Sequence, residues 1–461
     1  MHRLLVTVLK AEPAGRRRDP SGLLRGSFRL RVKVKGAAVG ALKAPARVVG
    51  LEGSLRRDFL LPWAPRRGDL LVLDPSESRR FLVPRGARAR RLSPTATARV
   101  SVADVDGDGW QEDVFSNPFV SGAVQPHRGA RLLSLAGRSG ADRFAQPVVH
   151  IMAGQYVLLG GAEEFLLETG MPGEIWNAAF SREASAAGAT YARKLKTPEG
   201  VALTKEVRVE DGLPGVLEVV RLSYAGKPSE EGDEDDGGEP RKPDRTDVSL
   251  GIRMSTRVLG PVGSTNVIEI PSRGELVKVR FHRPAYGRRW RWRDWKDEFF
   301  GIGPAFLVSR NEREGNALAV LFGFGRAAVV NVRSDFEGPE VMLRSSRVAL
   351  VKGRSAEFGA AFLPADALAA SGTSLLLATL GRPSGGTVPL ALTLRSSERV
   401  ARPLAALDLR RGGRRAIALR RREVPAAGVV YAAVVPARAS WFPLACSVKL
   451  GAERLECVVE G

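Results

Sequence analysis

An all-β fold is predicted for this chain of 461 residues, and three observations predict it. Apolar and polar residues alternate at period two along much of the chain, while no stretch of helical period 3.6 runs beyond about two turns. Gly (50) and Pro (29) are plentiful enough to supply many turns and too aperiodic for a fibrous chain. Hydrophobic residues at 44% with 26% charged are globular proportions, which exclude wholesale disorder. The architecture expected is a large antiparallel sandwich flanked by two small β-sandwich-like domains.

In chain order, residues 1–97 read as a small N-terminal β-domain, with short strands between Gly/Pro/Arg-rich turns, closing in the basic stretch Arg85 to Arg91. Its clearest strand is Phe28 to Lys35. There Phe28, Leu30, Val32 and Val34 share one face, and Arg29, Arg31, Lys33 and Lys35 the other. Residues 98–376 form the largest block, broken only by the segment 226–245. Within it Ser229 to Glu239 carries seven acids and no base, so a disordered surface loop is expected. Val216, Val220 and Leu222 alternate, with Glu218 interrupting their face, and Val248, Leu250, Ile252 and Met254 repeat the period. Pro364 to Ala370 is expected to be a short helix with Pro in its first turn. Residues 377–461 read as a C-terminal sandwich-like domain ending in a hairpin. Leu444, Cys446, Val448 and Leu450 alternate up to Gly451-Ala452, and Leu455, Cys457 and Val459 after it. A two-residue turn with Gly first is the type II′ signature, and it sets Cys446 opposite Cys457. Cα atoms about 5.5 Å apart suit either a disulfide or two small reduced core residues, depending on the compartment.

The formal charge is +21, and the acidic segment makes the rest more basic still. Such a field draws nucleic acid, anionic glycans or lipid head groups non-specifically and weakens with salt. No apolar run approaches the roughly 20 residues of a membrane span, and the Leu4 to Leu9 run has no cleavage site after it. The expected compartment is therefore cytoplasmic, unless the leader is missing or export takes another route. Arg outnumbers Lys 58 to 13, and Asn (six) and Gln (four) are scarce, a thermophile-like composition that a GC-rich genome also explains.

The strongest short motif is Asp104-Val-Asp106-Gly-Asp108-Gly-Trp110-Gln-Glu112-Asp113. Carboxylates at loop positions 1, 3 and 5, Gly at 6, the Trp110 carbonyl at 7 and Glu112 at 9 gather hard oxygens as Ca²⁺ requires. Position 12 is Phe115, so the loop is no EF-hand; it resembles the shorter calcium loops of FG-GAP repeats and dockerins. The alternative is an Asp/Gly-rich turn whose like charges solvent relieves.

Asn117-Pro118-Phe119-Val120, followed by Gln125-Pro126-His127-Arg128-Gly129 and the strand Ala130 to Leu135, resembles the opening strands of the galactose mutarotase-like β-supersandwich superfamily. Leu203 to Val207, Gly215 to Tyr224, Pro339 to Leu343 and Val351-Lys352-Gly353 fit the same layout. The nearest flavour is the C-terminal β-domain of family-57 amylases and glucanotransferases. The resemblance implies a supersandwich over 98–376 whose concave face handles carbohydrate. It leaves both flanking domains unexplained.

Mutarotases pair a His acid with a carboxylate base across the sugar. Here His127 falls in a structural turn, which leaves His150 and His282 as candidate partners for Glu163, Glu164 or Glu174 in a hydrolase or epimerase, without an alignment that sets either at the catalytic position. Glu163, Glu164, Glu168 and Glu174 lie in a stretch similar to the family's sugar-facing segment. They are candidates for a paired-carboxylate hydrolase, against the plainer reading of exposed turn acids. No Walker loop, nucleophile elbow or zinc spacing appears. Arg288 to Lys296 is the chemically unusual segment: on a strand Trp290 and Trp292 share one face, with Arg291 and Arg293 on the other. Trp suits sugar rings and Arg suits acidic groups, stacked nucleobases fit equally well, and a packed Trp pair under Arg stems fits too.

The function expected is that of a carbohydrate-binding or carbohydrate-processing protein on a calcium-pinned, mutarotase-like supersandwich, with binding favoured over catalysis. Trp290, Trp292 and Trp176, with Arg291 and Arg293, are the expected contacts to an oligo- or polysaccharide, neutral or acidic. The alternative is a non-enzymatic interaction protein holding an anionic partner on its basic surface.

Overall fold

The computed structural model describes residues 4–18, 24–34, 58–61, 70–74, 79–83, 92–103, 105, 111–127, 129–140, 144, 148–152, 155–159, 161–166, 175, 178–196, 198–226, 245–255, 266–280, 297–299, 305–311, 317–323, 328–335, 338–345, 347–397, 404–409, 419–424, 427–438 and 441–460. Among them are strands and no α-helix. The acidic segment expected to be a loop, and the tryptophans at 176, 290 and 292, lie outside the described residues.

Strands β1 (Leu4–Arg18), β2 (Leu24–Val34), β3 (Asp58–Leu61), β4 (Leu70–Asp74) and β5 (Arg79–Val83) make one antiparallel sheet in the order β3-β2-β1-β4-β5. The expected strand at Phe28 is β2, which pairs Phe28 with Pro13 and Val32 with Val8. Two nine-stranded antiparallel sheets follow. Sheet I runs β6 (Arg99–Ala103), β7 (Glu112–Ser116), β8 (Ser121–Gln125), β9 (Arg131–Ala136), β12 (Gly161–Leu166), β18 (Leu250–Ser255), β25 (Gly338–Ser345), β24 (Ala328–Asp335), β21 (Asp297–Phe299). Sheet II runs β13 (Ser181–Ala184), β14 (Gly188–Lys194), β15 (Val201–Arg208), β16 (Val216–Tyr224), β27 (Ser355–Ala365), β23 (Ala317–Gly323), β22 (Phe306–Asn311), β19 (Asn266–Ser272), β20 (Glu275–Arg280). Two short pairs, β10 (Val148–Met152) with β11 (Gln155–Leu159) and β17 (Arg245–Val248) with β26 (Val348–Val351), form separate two-stranded sheets.

Period two explains how the sheets pack. In β15, Val201, Leu203, Lys205 and Val207 are buried while the residues between them are half-buried, and in β18 Leu250, Ile252 and Met254 turn inward together. One apolar core joins both sheets, from Leu132, Leu250 and Val330 to Val220, Phe322 and Phe362. Phe144 meets Phe362 edge-on, with ring centroids 6.1 Å apart. Gly251 is required by packing, since a Cβ there would stand 2.1 Å from Cζ of Phe165. Asn117 ties the two sheets at one end. Its Oδ1 accepts from Phe119 N and Val120 N at 2.9 Å, and its Nδ2 donates to the carbonyls of Glu210 and Leu213, at 2.9 and 2.8 Å.

The helix expected at Pro364 to Ala370 does not form. Pro364 stands in β27 opposite Leu318, its carbonyl accepts the Thr379 hydroxyl at 2.8 Å, and Ala367–Ala370 is strand β28. The segment is divided between the end of β27 and the half-buried edge strand β28, and so short a stretch has no period that separates helix from strand.

From Ala367 onward β28, β29 (Ser374–Leu380), β30 (Thr387–Ser396), β33 (Gly428–Pro436) and β32 (Arg420–Val424) form a five-stranded sheet. A three-stranded sheet of β31 (Leu404–Leu409), β34 (Leu444–Leu450) and β35 (Glu453–Val459) accompanies it. Alternation splits the larger sheet between two cores. Leu375, Leu377, Ala391 and Val430 join the central core, while Leu376, Ala378, Leu392 and Tyr431 pack with Cys446, Val448 and Val459. The last hairpin has the expected register. Leu450 faces Glu453, Cys446 faces Cys457, and Gly451 alone of the turn pair takes a left-handed φ, +56°. Both cysteines are free and buried, and the hydrogen bond with Cys457 together with burial pushes the Cys446 thiol well up.

Candidate functional site

Consecutive residues of a strand point to opposite faces, so Glu163 and Glu164 in β12 part company. Both are buried, at 2% and 1% exposure, where the sequence admitted exposed turn acids. They lie in a central strand between β9 and β18, and their burial is compensated by charge on each side.

Glu164 faces sheet II. Lys205 Nζ, on β15, donates to its Oε1 at 2.7 Å and stands 2.9 Å from Oε2 of Glu218 on β16. Burial by itself would lower the Lys205 ammonium, but the two carboxylates outweigh it and the net direction is up. Burial, then the neighbouring charge of Glu164, drives the Glu218 carboxyl well above its ordinary range. Nearer the edge of the same space, Asp113 of β7 takes Nε of Arg182 at 2.7 Å on each oxygen and the Tyr191 hydroxyl at 2.7 Å. Burial first and then Asp113 raise the Tyr191 phenol.

Glu163 points to the face of sheet I turned away from sheet II. Its Oε2 is paired with Arg131 of β9, and its Oε1 lies 3.6 Å from Nη1 of Arg253 on β18. Burial lowers the Arg131 guanidinium, opposed by the charge of Glu163. These three are part of a longer row. Glu163 is opposite Arg253, Arg253 opposite Met342, Met342 opposite Asn331, and Asn331 opposite Glu298. In the other direction, one step from the Ala162–Leu132 pair sets Arg131 beside Glu163, Gln125 faces Arg131, and one step from the Asp113–Val124 pair sets Glu112 beside Gln125. Eight strands thus place one residue each in a line, and seven of the eight are polar or charged. Neighbours in such a row are about 4.5–5.5 Å apart. Glu112, Gln125, Arg131, Glu163, Arg253 and Met342 are all buried, Met342 interrupts the polar members, and Arg131 and Arg253 are engaged with Glu163.

The candidate residues divide sharply. Glu163 joins the row, whereas Glu164 belongs to the core, so the two cannot flank one substrate. His150 lies in β10 opposite Val157. Glu174, His282, Trp176, Trp290, Arg291, Trp292 and Arg293 lie outside the described residues. The segment 281–296 joins β20, an edge strand of sheet II, to β21, an edge strand of sheet I and the carrier of Glu298. Of the calcium motif, Asp104, Asp106, Asp108 and Trp110 also lie outside. Glu112 Oε2 accepts from Val105 N at 2.7 Å, which ties Val105 to β7. Asp113 points to the opposite face, and Arg182 and Tyr191 occupy both its oxygens, so Glu112 and Asp113 cannot chelate one ion together. Among the described residues no three His, Cys, Asp or Glu side chains gather as a metal cluster, and no helix is long and apolar enough to cross a membrane.

Sequence reasoning missed Arg131, Arg253 and Lys205, and met Glu218 only as an interruption of an apolar face. Lys205 carried the same signal, since both stand at the apolar phase of an alternating strand.

No family model and no curated protein matches the chain. Solved structures that align with it include a galactose mutarotase-like protein from Clostridium acetobutylicum, at 7% identity over 58% of this chain and 98% of that one, with a TM-score of 0.39. A galactose mutarotase-like protein from Lactobacillus casei aligns at 10% identity over 55% and 99%, TM-score 0.37. The 4-alpha-glucanotransferase from Thermococcus litoralis aligns at 13% identity over 58% of this chain and 40% of its own, TM-score 0.37. These likenesses agree with the mutarotase-like layout expected from sequence. With every TM-score below 0.5, no substrate and no residue role passes from those proteins to this chain.

Proposed function

We propose that the chain is a carbohydrate-binding or carbohydrate-processing protein, with binding favoured over turnover. The observation that carries this reading is the in-register row through Arg131, Glu163 and Arg253 on the outer face of sheet I. Charged side chains recur there at strand spacing and, though each is buried, hold hydrogen-bonding capacity that the apolar face behind them lacks. Trp290, Trp292 and Trp176 would add the stacking surfaces, and Arg291 and Arg293 would favour an acidic sugar. Binding is favoured because Glu164 is spent in the core and Glu163 is held by Arg131 and Arg253 on the other face, so the two carboxylates do not form an acid–base pair.

The test is direct binding of the protein to neutral glucans, acidic polysaccharides and DNA at low and moderate salt. Salt-resistant binding to one glycan class, lost in the Trp290→Ala/Trp292→Ala double variant, is the expected result. The second reading, an interaction protein holding an anionic partner, is favoured by the charge of +21 and by the exposed Arg420, Arg421 and Arg422 on edge strand β32. Binding to every polyanion that vanishes with salt would select it. We also propose Ca²⁺ in the loop through Asp104, Asp106, Asp108, the Trp110 carbonyl and Glu112. A melting temperature equal in excess calcium and in excess EDTA would remove that ion.

A further inference from the structure

Between the two sheets Lys205, Glu164 and Glu218 bring two carboxylates to one ammonium, all at most 1% exposed. Few other charges face them. Tyr191 of β14 is next to Lys205 in sheet II and is engaged with Asp113 of β7, which also holds Arg182 of β13. Arg131 of β9 acts on Glu164 only from the far side of sheet I, where it serves Glu163. Around the cluster β16 supplies Val216, Val220 and Leu222, and β27 supplies Phe358, Ala360 and Phe362. With both acids ionised one negative charge would be left uncompensated in this core, a state that burial penalises heavily.

We propose that this cluster is a proton-dependent latch between sheets I and II, closed when Glu164 and Glu218 share one proton in front of Lys205 and released when that proton leaves. In the closed state Glu218 carries the proton, and the negative charge of Glu164 faces the ammonium 2.7 Å away. Losing the proton sets two carboxylates against each other before one ammonium, in a medium that screens poorly. The sign follows from proton count. Glu218 holds its proton in the folded protein at pH values where the unfolded chain has released it, so the folded state binds more protons and stability falls as pH rises. The window opens above the ordinary glutamate range and closes at the raised folded value. Within it one proton shifts the folding equilibrium by about tenfold per pH unit.

The experiment is thermal unfolding of the full chain and of Glu218→Gln between pH 5 and pH 9. Glutamine keeps the shape and polarity of the protonated acid and has no proton to lose. The expected result is a melting temperature that drops more steeply with pH in the wild type, so that the variant gains on it steadily towards pH 9. A gap between the two proteins that is constant with pH overturns the latch. Should the variant fail to fold, infrared spectroscopy of the wild type at pH 7 decides. The carbonyl band of a buried protonated carboxylic acid supports the proposal, and its absence overturns it.

Discussion

Glu163 and Glu164 are neighbours in one strand and meet opposite electrostatic circumstances. On the outer face one carboxylate is held by two guanidiniums, and on the inner face two carboxylates share one ammonium. The first cluster has a cation to spare and the second an anion too many. Their cations come from strands paired with β12 in the first case and from the facing sheet in the second. A buried charge in a sandwich is thus answered along the row on one side and across the core on the other. Each choice exposes the protein to a different failure.

The comparison can be broken most severely at Lys205. Replacing it with Met leaves two buried acids without a cation, and a loss of about 3–5 kcal/mol in unfolding free energy by urea titration is expected. Arg131→Met should cost less, about 2–3 kcal/mol in the same assay, because Arg253 remains 3.6 Å from Glu163. Equal losses at the two positions would show that the spare cation counts for nothing. Gly251→Ala probes the outer face by shape alone. The new methyl collides with the Phe165 ring two residue pairs from Glu163 and Arg253, with an expected cost of about 1–3 kcal/mol. The smallest effect belongs to Arg221→Ala. Its ion pair with Glu357 lies on the exposed side of sheet II, both side chains more than half exposed, and its loss is expected to change stability by about 0–1 kcal/mol. A larger change there would mean that burial is not what separates the clusters from ordinary surface pairs.

The last hairpin shows how far local pattern reaches. Gly451 supplies a left-handed φ that other residues resist, the turn admits two residues, and every pair down to Cys446–Cys457 follows from that one constraint. Pro364 to Ala370 shows where it stops. So short a stretch has no period to distinguish extended chain from a helical turn, and only its partners, Leu318 for Pro364 and Leu377 for Leu368, decide the matter. Glu218 lies between these cases. The sequence marked it as an interruption of an apolar face, and the reason for the interruption is Lys205, one strand over and two residues out of register.

By itself the sequence determined the all-β class, the inward phase of strands such as Leu250 to Met254, the turn of the final hairpin and the stretch of chain in which charged residues of interest would fall. These are properties of period and of backbone freedom, which are local. The tertiary structure alone decided that Glu163 looks out and Glu164 looks in, that Asp113 serves Arg182 and Tyr191, and that residues between 112 and 342 stand in one line across sheet I. Those relations depend on the order and register of strands far apart in the chain. A shift of one residue in a single pairing would exchange every inward and outward role in that strand, so no reading of one strand by itself contains them.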